Sequence, residues 1–250
     1  HYEIYRRPEL RTFFGEFRDH SKMFGIIKNE IKYFASLYQE LRSDYSPDRP
    51  HLLYNKLQDQ NQQYLLIMSA VELDDPQREA KIRTISAKFD QLHVILRVLG
   101  IYESNSFQRL IYGLNDSLRN KSESQCRAIF DKVIIKTLQD EERLEKNFAG
   151  GVEDIFTYEL FKNARNSSAN FSKYILMRID RWLGELLDKP SYCRSSLIDL
   201  EERFNRSSRK RYGMHLEHIY AHNDANQRLF LDPVAGVFDE IGRASCRERV

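Results

Sequence analysis

Six apolar residues, Ile82, Ile85, Phe89, Leu92, Leu96 and Leu99, recur at steps of three and four and stop at Gly100. An α-helix gathers such a set on one face, whereas a strand would scatter it over two. A helix with so continuous an apolar seam has to be covered by other helices, and the rest of the chain supplies them. Over residues 10–41 Phe13, Phe14 and Phe17, then Phe24, Ile27, Ile31, Phe34 and Leu37, show the same spacing, with a break near 20–25 that makes two helices or one bent one. Ten glycines and six prolines in 250 residues leave room for long helices and argue against a turn-rich β sandwich. The class is mainly α. The seam lasts under three heptads, so it packs inside a multi-helix bundle rather than a coiled coil.

Punctuation divides the remainder. Residues 43–50 form a loop before a helix over about 52–71, and Asp74-Asp75-Pro76 supplies an N-cap followed by Pro at the first helical position. Beyond Gly100 a helix is expected over about 106–118, and Ser122-x-x-Gln125 reads as a capping box opening a helix that ends near Phe148, before Ala149-Gly150-Gly151. A short piece around Tyr158 and a polar stretch over 163–170 lead to Lys173-Tyr-Ile-Leu-Met-Arg-Ile-Asp-Arg-Trp182, where Ile175, Ile179, Trp182 and Leu186 make one stripe, with Trp182 as a core anchor and Pro190 closing the helix. His93, beside the central seam, reads as a partly buried structural side chain. A short helix is expected over about 197–204.

The ends carry their own signals. The chain opens on His1 and passes at once into a helical pattern, which suggests an internal piece with a domain missing before it. Residues 240–250, Glu-Ile-Gly-Arg-Ala-Ser-Cys-Arg-Glu-Arg-Val, read as a translated sequencing adapter and are set aside from the fold. Residues 241–250 carry three arginines against one glutamate, which accounts for the whole formal charge of +2 and leaves the remainder neutral. The net charge is therefore no argument for nucleic acid. Cys246 goes with this tail, and Cys126 and Cys193 are too few for a disulfide framework or a cysteine zinc site, which fits a reducing, cytoplasmic setting. No apolar run approaches the roughly 20 residues that span a bilayer, so no membrane partner is expected.

Chemistry concentrates after Pro190. Arg206, Arg209, Lys210 and Arg211 put four basic residues in six, and His215, His218 and His222, three of the seven histidines, follow within eight residues, beside Glu217. No Gly-rich phosphate loop, Gly-x-Ser-x-Gly elbow or paired-cysteine motif occurs. If 214–220 is a strand, Glu217 and His218 address opposite faces, so one can hold a cation while the other meets water. If it is a helix, His215, His218 and His222 share a face suited to zinc, without the His-Glu-x-x-His order of a zincin. A third reading is a non-enzymatic helical interaction module with a solvated basic loop.

Glu217-His218-Ile219 resembles the acid-His-Ile opening of His-Asn-His (HNH) nucleases. Together with the long helical region and the Lys173-Tyr-Ile-Leu-Met-Arg-Ile-Asp helix, it resembles the C-terminal half of GmrSD-type, modification-dependent restriction proteins, over roughly residues 2–239. The resemblance implies a helical region over 1–190, the first part of a ββα-metal nuclease domain over 191–239, and a cytoplasmic enzyme that cleaves foreign, modified DNA. It makes His218 the general base, Glu217 a ligand of a divalent metal ion such as Mg, and His215 and His222 further candidates at that metal. Arg206, Arg209, Lys210 and Arg211 would contact DNA phosphates. A homo-oligomer or a partner subunit stays open. The family's Asp-Gly-Gln-Gln-Arg motif is absent, so nucleotide binding is not placed on this chain, and Tyr220-Ala221 stands where the family has Pro two residues after the Ile. The Asn-containing second half of the metal site would lie beyond Asp239, so this chain by itself is expected not to cleave DNA.

Overall fold

The computed structural model describes residues 24–162, 168–189 and 196–205. Among them are nine α-helices: α1 (Lys32–Arg42), α2 (Pro50–Leu57), α3 (Gln62–Ala70), α4 (Arg78–Val98), α5 (Ser104–Ser117), α6 (Glu123–Asp140), α7 (Tyr158–Phe161), α8 (Ala169–Leu186) and α9 (Leu197–Asn205). A π-helical turn, Ile26–Ile31, runs into α1, and a 3-10 turn, Val152–Ile155, precedes α7. The described residues are thus mainly helical and contain no strand, and none of their helices is long and apolar enough to cross a membrane. The ββα segment expected over 191–239 lies outside the described residues beyond α9.

Helix α4 is the axis. Its seam residues Ile82, Ile85, Phe89 and Leu92 are completely buried, and α2, α3 and α6 pack around it. Leu37 and Leu41 of α1, Phe107, Ile111 and Leu114 of α5, and Cys126, Phe130, Ile134 and Leu138 of α6 complete one apolar core. A second, smaller core joins Leu53, Tyr54 and Leu57 of α2 to Phe171, Tyr174 and Met177 of α8 and to Leu197, Leu200 and Phe204 of α9. Because α4 is surrounded, its polar residues Lys81, Thr84, Ser86, Lys88 and Asp90 are buried and paired, as is Asn55 of α2 beside them. The Lys81 ammonium donates to Asp75 (2.6 Å) and to the Ala70 carbonyl (2.8 Å), while Asn55 donates to Gln63 (2.9 Å) and to the Ser86 carbonyl (3.0 Å). These bonds satisfy groups whose burial would otherwise cost stability.

Several sequence expectations need correction. The single helix over 52–71 is two, because Asp59 turns into the left-handed region (φ 57°) and the Gln58, Asp59 and Gln60 N–H groups fold back onto the Asn55 and Lys56 carbonyls. Helix α4 begins at Arg78 rather than Pro76, and Asp75 accepts from the Gln77 N–H (2.8 Å) from just outside it. The Ser122–Gln125 capping box forms as expected, but α6 ends at Asp140, not near Phe148. Asp140, Glu141 and Glu142 put three carboxylates where the helix dipole is negative, and Glu142 adopts φ 55°, so the chain turns and brings Leu144 and Phe148 back onto the core. Gly100 ends α4 at φ 68°, a conformation that favours glycine. On the expected α8 stripe Ile175 packs at the edge of the smaller core, whereas Ile179, Trp182 and Leu186 face outward. Trp182 is 59% exposed and is no core anchor, because the buried side of that helix is the one bearing Phe171, Tyr174 and Met177.

His93 is more buried than its sequence position suggested, at 2% exposure. Its ring meets Tyr102 and Phe107 at centroid distances of 5.2 and 5.8 Å, and Phe171 lies at 6.5 Å. Burial first, then the Arg97 charge, push its pKa down to about 4, against the pull of Asp90. In the unfolded chain the same ring takes up a proton near pH 6.5. Between those values the unfolded state binds more protons, so stability falls as the pH is lowered through that window, by up to about 3 kcal/mol at its acid end. Urea unfolding at pH 7 and pH 4.5 is expected to show this loss in the native chain and much less of it in His93→Phe. An equal loss in both would mean that His93 is not the group responsible.

Candidate functional site

A buried carboxylate organises the junction of the two cores. Asp90, midway along α4, is 3% exposed and receives side chains from two other helices. His51 at the start of α2 places Nδ1 2.8 Å from Asp90 Oδ2, and Arg178 of α8 donates through Nη1 to the same oxygen at 2.7 Å. The Tyr174 hydroxyl donates to Asp90 Oδ1 and accepts from Arg178 Nη1 at 2.6 Å. The guanidinium also lies over the Tyr54 ring, 4.2 Å from its centroid. Tyr174 and Arg178 are one helical turn apart, so both reach Asp90 from the same face of α8.

The charges in this network support one another. Burial alone would raise the Asp90 pKa, but the His51 hydrogen bond, the Arg178 and His51 charges and the Tyr174 hydroxyl outweigh it and hold the carboxyl at about 2. Burial would lower Arg178, and the facing Asp90 instead raises it. Burial and the Asp90 charge together push Tyr174 well above the ordinary tyrosine value. At neutral pH the network is therefore an ionised Asp–Arg pair with a neutral tyrosine between them.

A cleft of about 950 Å³ opens outward from these groups. His51, Asp90 and Arg178 line it with Arg49, Arg83, Lys88 and Arg127, and Phe156, Ile175 and Ile179 form an apolar wall. Most of the cations are already matched. Arg49 pairs with Asp44 (2.6 Å) and Glu40 (3.1 Å), Lys88 with Asp131 (2.6 Å), and Arg127 with Glu123 (2.8 Å). The hydroxyls at the cleft are committed too, Ser86 donating to the Ile82 carbonyl (2.8 Å) and Thr84 to Glu123. A His–Asp pair is present, but the groups around it do not assemble a nucleophile with its base. What the arrangement does is join α2, α4 and α8 through one ionic centre.

The ties continue to α9. Lys56 pairs with Glu201 at 2.8 Å and the Tyr45 hydroxyl donates to Glu201 at 2.5 Å, while the Lys173 ammonium donates to the Phe204 carbonyl at 2.5 Å. The chain is thus held as far as Phe204, two residues before the basic run begins at Arg206.

All of the residues singled out from the sequence for chemistry, Arg206, Arg209, Lys210, Arg211, His215, Glu217, His218 and His222, lie outside the described residues. Among the described residues no group of three or more His, Cys, Asp or Glu side chains is placed to hold a metal ion. The sequence reading passed over Asp90 and His51. The signal for Asp90 was a carboxylate between Phe89 and Leu92 in the middle of the helix with the continuous apolar seam, a position where a charge needs partners. Comparison of the chain with protein-family models, with curated proteins and with solved structures finds no match.

Proposed function

We propose that this chain is part of a metal-dependent DNA endonuclease of the modification-dependent, GmrSD-like restriction type, and that its helices are the body carrying the start of an HNH-like nuclease segment. One observation carries the reading. The helix bearing the family-like Lys173-Tyr-Ile-Leu-Met-Arg-Ile-Asp motif is built into the fold through Tyr174, Arg178 and Asp90, and the next helix, which ends at Asn205, is tied to it through the Phe204 carbonyl. Arg206 follows directly, and Glu217-His218-Ile219 begins twelve residues beyond Asn205. The motif that most resembles the family thus belongs to the scaffold from which the nuclease-like segment departs.

In this reading Arg206, Arg209, Lys210 and Arg211 contact the DNA backbone, which positions the duplex without reading its sequence. Glu217, with His215 and His222 as further candidates, holds a hard divalent cation such as Mg, which suits an oxygen donor and offsets charge at the scissile phosphate. His218 takes the proton from the attacking water. The test is cleavage of plasmid DNA by the protein encoded at the intact locus. With a divalent cation present, modified plasmid is expected to be cut and unmodified plasmid spared, and chelation should stop the reaction. Absence of cleavage with every divalent cation and every modification tried would overturn the proposal.

A further inference from the structure

The cleft beside the Asp90 network has the size of a small-molecule site, about 950 Å³, and the space between helices of a bundle is one of the usual positions for such sites. Its floor is the face of α4 on which Ala80, Arg83, Ala87, Asp90 and Val94 follow one another at steps of three and four. Ala80 and Ala87 are the small residues of that line. They leave a gap between the walls supplied by the starts of α2 and α6 and by α8. Phe156, 56% exposed, and Ile179, 45% exposed, offer apolar surface in the same cleft.

Most charged groups at the cleft answer one another, and those that do not define what it can take. Asp90 holds Arg178 and His51, Glu123 holds Arg127, Asp131 holds Lys88 and Asp44 holds Arg49. Among the described residues the Arg83 guanidinium and the Asp48 carboxylate make no ion pair, and both are exposed at the cleft. A guanidinium without a partner offers parallel N–H donors that match a carboxylate. The Asp48 charge opposes a second negative group, so the balance suits a monoanion rather than a phosphate carrying close to two charges. At the other end, two turns or about 10 Å along α4 from Arg83, the ionised Asp90 accepts from His51 Nδ1. The second ring nitrogen, Nε2, makes no hydrogen bond among the described residues, and in the neutral ring it accepts one from a hydroxyl.

We propose that the cleft binds a hydroxylated aromatic monocarboxylate, with its carboxylate on Arg83, its ring against Phe156 and Ile179, and its hydroxyl donating to His51 Nε2. A single substituted ring with a hydrogen bond at either end covers the span between Arg83 and His51. The site lies wholly among the described residues and uses none of the proposed nuclease segment, so the two readings are tested separately.

The probe is para-hydroxyphenylacetate, titrated against the whole 250-residue chain and followed by ligand-observed NMR. It is expected to bind saturably with a Kd below about 1 mM. The uncharged para-cresol, which keeps the ring and the hydroxyl, should bind at least about tenfold more weakly, the scale of a lost charge-assisted hydrogen bond. Arg83→Met should weaken the acid by a similar factor with the thermal midpoint retained, because Arg83 is exposed and unpaired among the described residues. Ala87→Phe fills the floor and should abolish binding, and Arg83→Met decides the matter even where that variant does not accumulate. No saturable binding up to about 10 mM would overturn the proposal. So would equal affinity of the native chain and Arg83→Met, or of the acid and para-cresol, either of which would mean adsorption to apolar surface. Phenyl phosphate binding more tightly than the acid would overturn the assignment to a monocarboxylate.

Discussion

Asp90→Ala is expected to lower the stability of the helical body by about 3–5 kcal/mol, the range for removing one partner of a buried ion pair. The variant leaves the Arg178 guanidinium without its carboxylate and the Tyr174 hydroxyl without its acceptor, both at the junction of α2, α4 and α8. Asp90→Asn keeps an oxygen for Tyr174 but no charge for Arg178, and should fall between the native chain and the alanine variant. Arg178→Met should cost less than Asp90→Ala, because His51 and Tyr174 still hold the carboxylate. Urea unfolding at pH 7 measures all three, and a double-mutant cycle between positions 90 and 178 isolates their coupling. A loss below about 1 kcal/mol for Asp90→Ala, the scale of an exposed pair, would contradict the network.

The same carboxylate sets a distinct acid dependence. Its folded pKa, about 2, lies below the unfolded value, so its stabilisation is complete above the unfolded carboxylate range and is lost as the pH falls toward 2. Between about 3.9 and 2 this amounts to roughly 2–3 kcal/mol. The window lies below the one governed by His93, between about 6.5 and 4. His93→Phe and Asp90→Asn therefore alter different parts of one acid unfolding curve.

The helices were legible where a local signal sufficed. The α4 seam needs only its spacing, Gly100 only its φ, and the Ser122–Gln125 box only two side chains in register. Spacing did not reveal which side of an amphipathic helix meets the core. On α8 both sides carry large residues, and the sequence reading followed the stripe of Ile175, Ile179, Trp182 and Leu186, whereas Tyr174 and Met177 face inward because Asp90 and Tyr54 wait for them on α4 and α2. That choice depends on contacts across 84 residues of sequence, between Asp90 and Tyr174, which no local window contains. The break at Asp59 was hidden for a related reason: the Asn55 side chain is drawn to Gln63 and Ser86, so α2 and α3 are each fitted to α4 separately. The expected nuclease residues rest on a short motif and a resemblance, and lie beyond Asn205.

The largest functional effect is expected at His218. If it takes the proton from the attacking water, His218→Ala in the protein encoded at the intact locus should slow cleavage of modified DNA by about 10²–10⁴-fold, the usual contribution of a general base. If its role is chemical rather than structural, the thermal midpoint should stay with that of the native protein. Glu217→Ala should instead move the divalent-metal titration to higher concentration. The same preparations of native protein and His218→Ala, compared for single-turnover cleavage and for thermal midpoint at saturating metal, give the most direct test. The account predicts lost cleavage with an unchanged midpoint, and full cleavage by His218→Ala would contradict it.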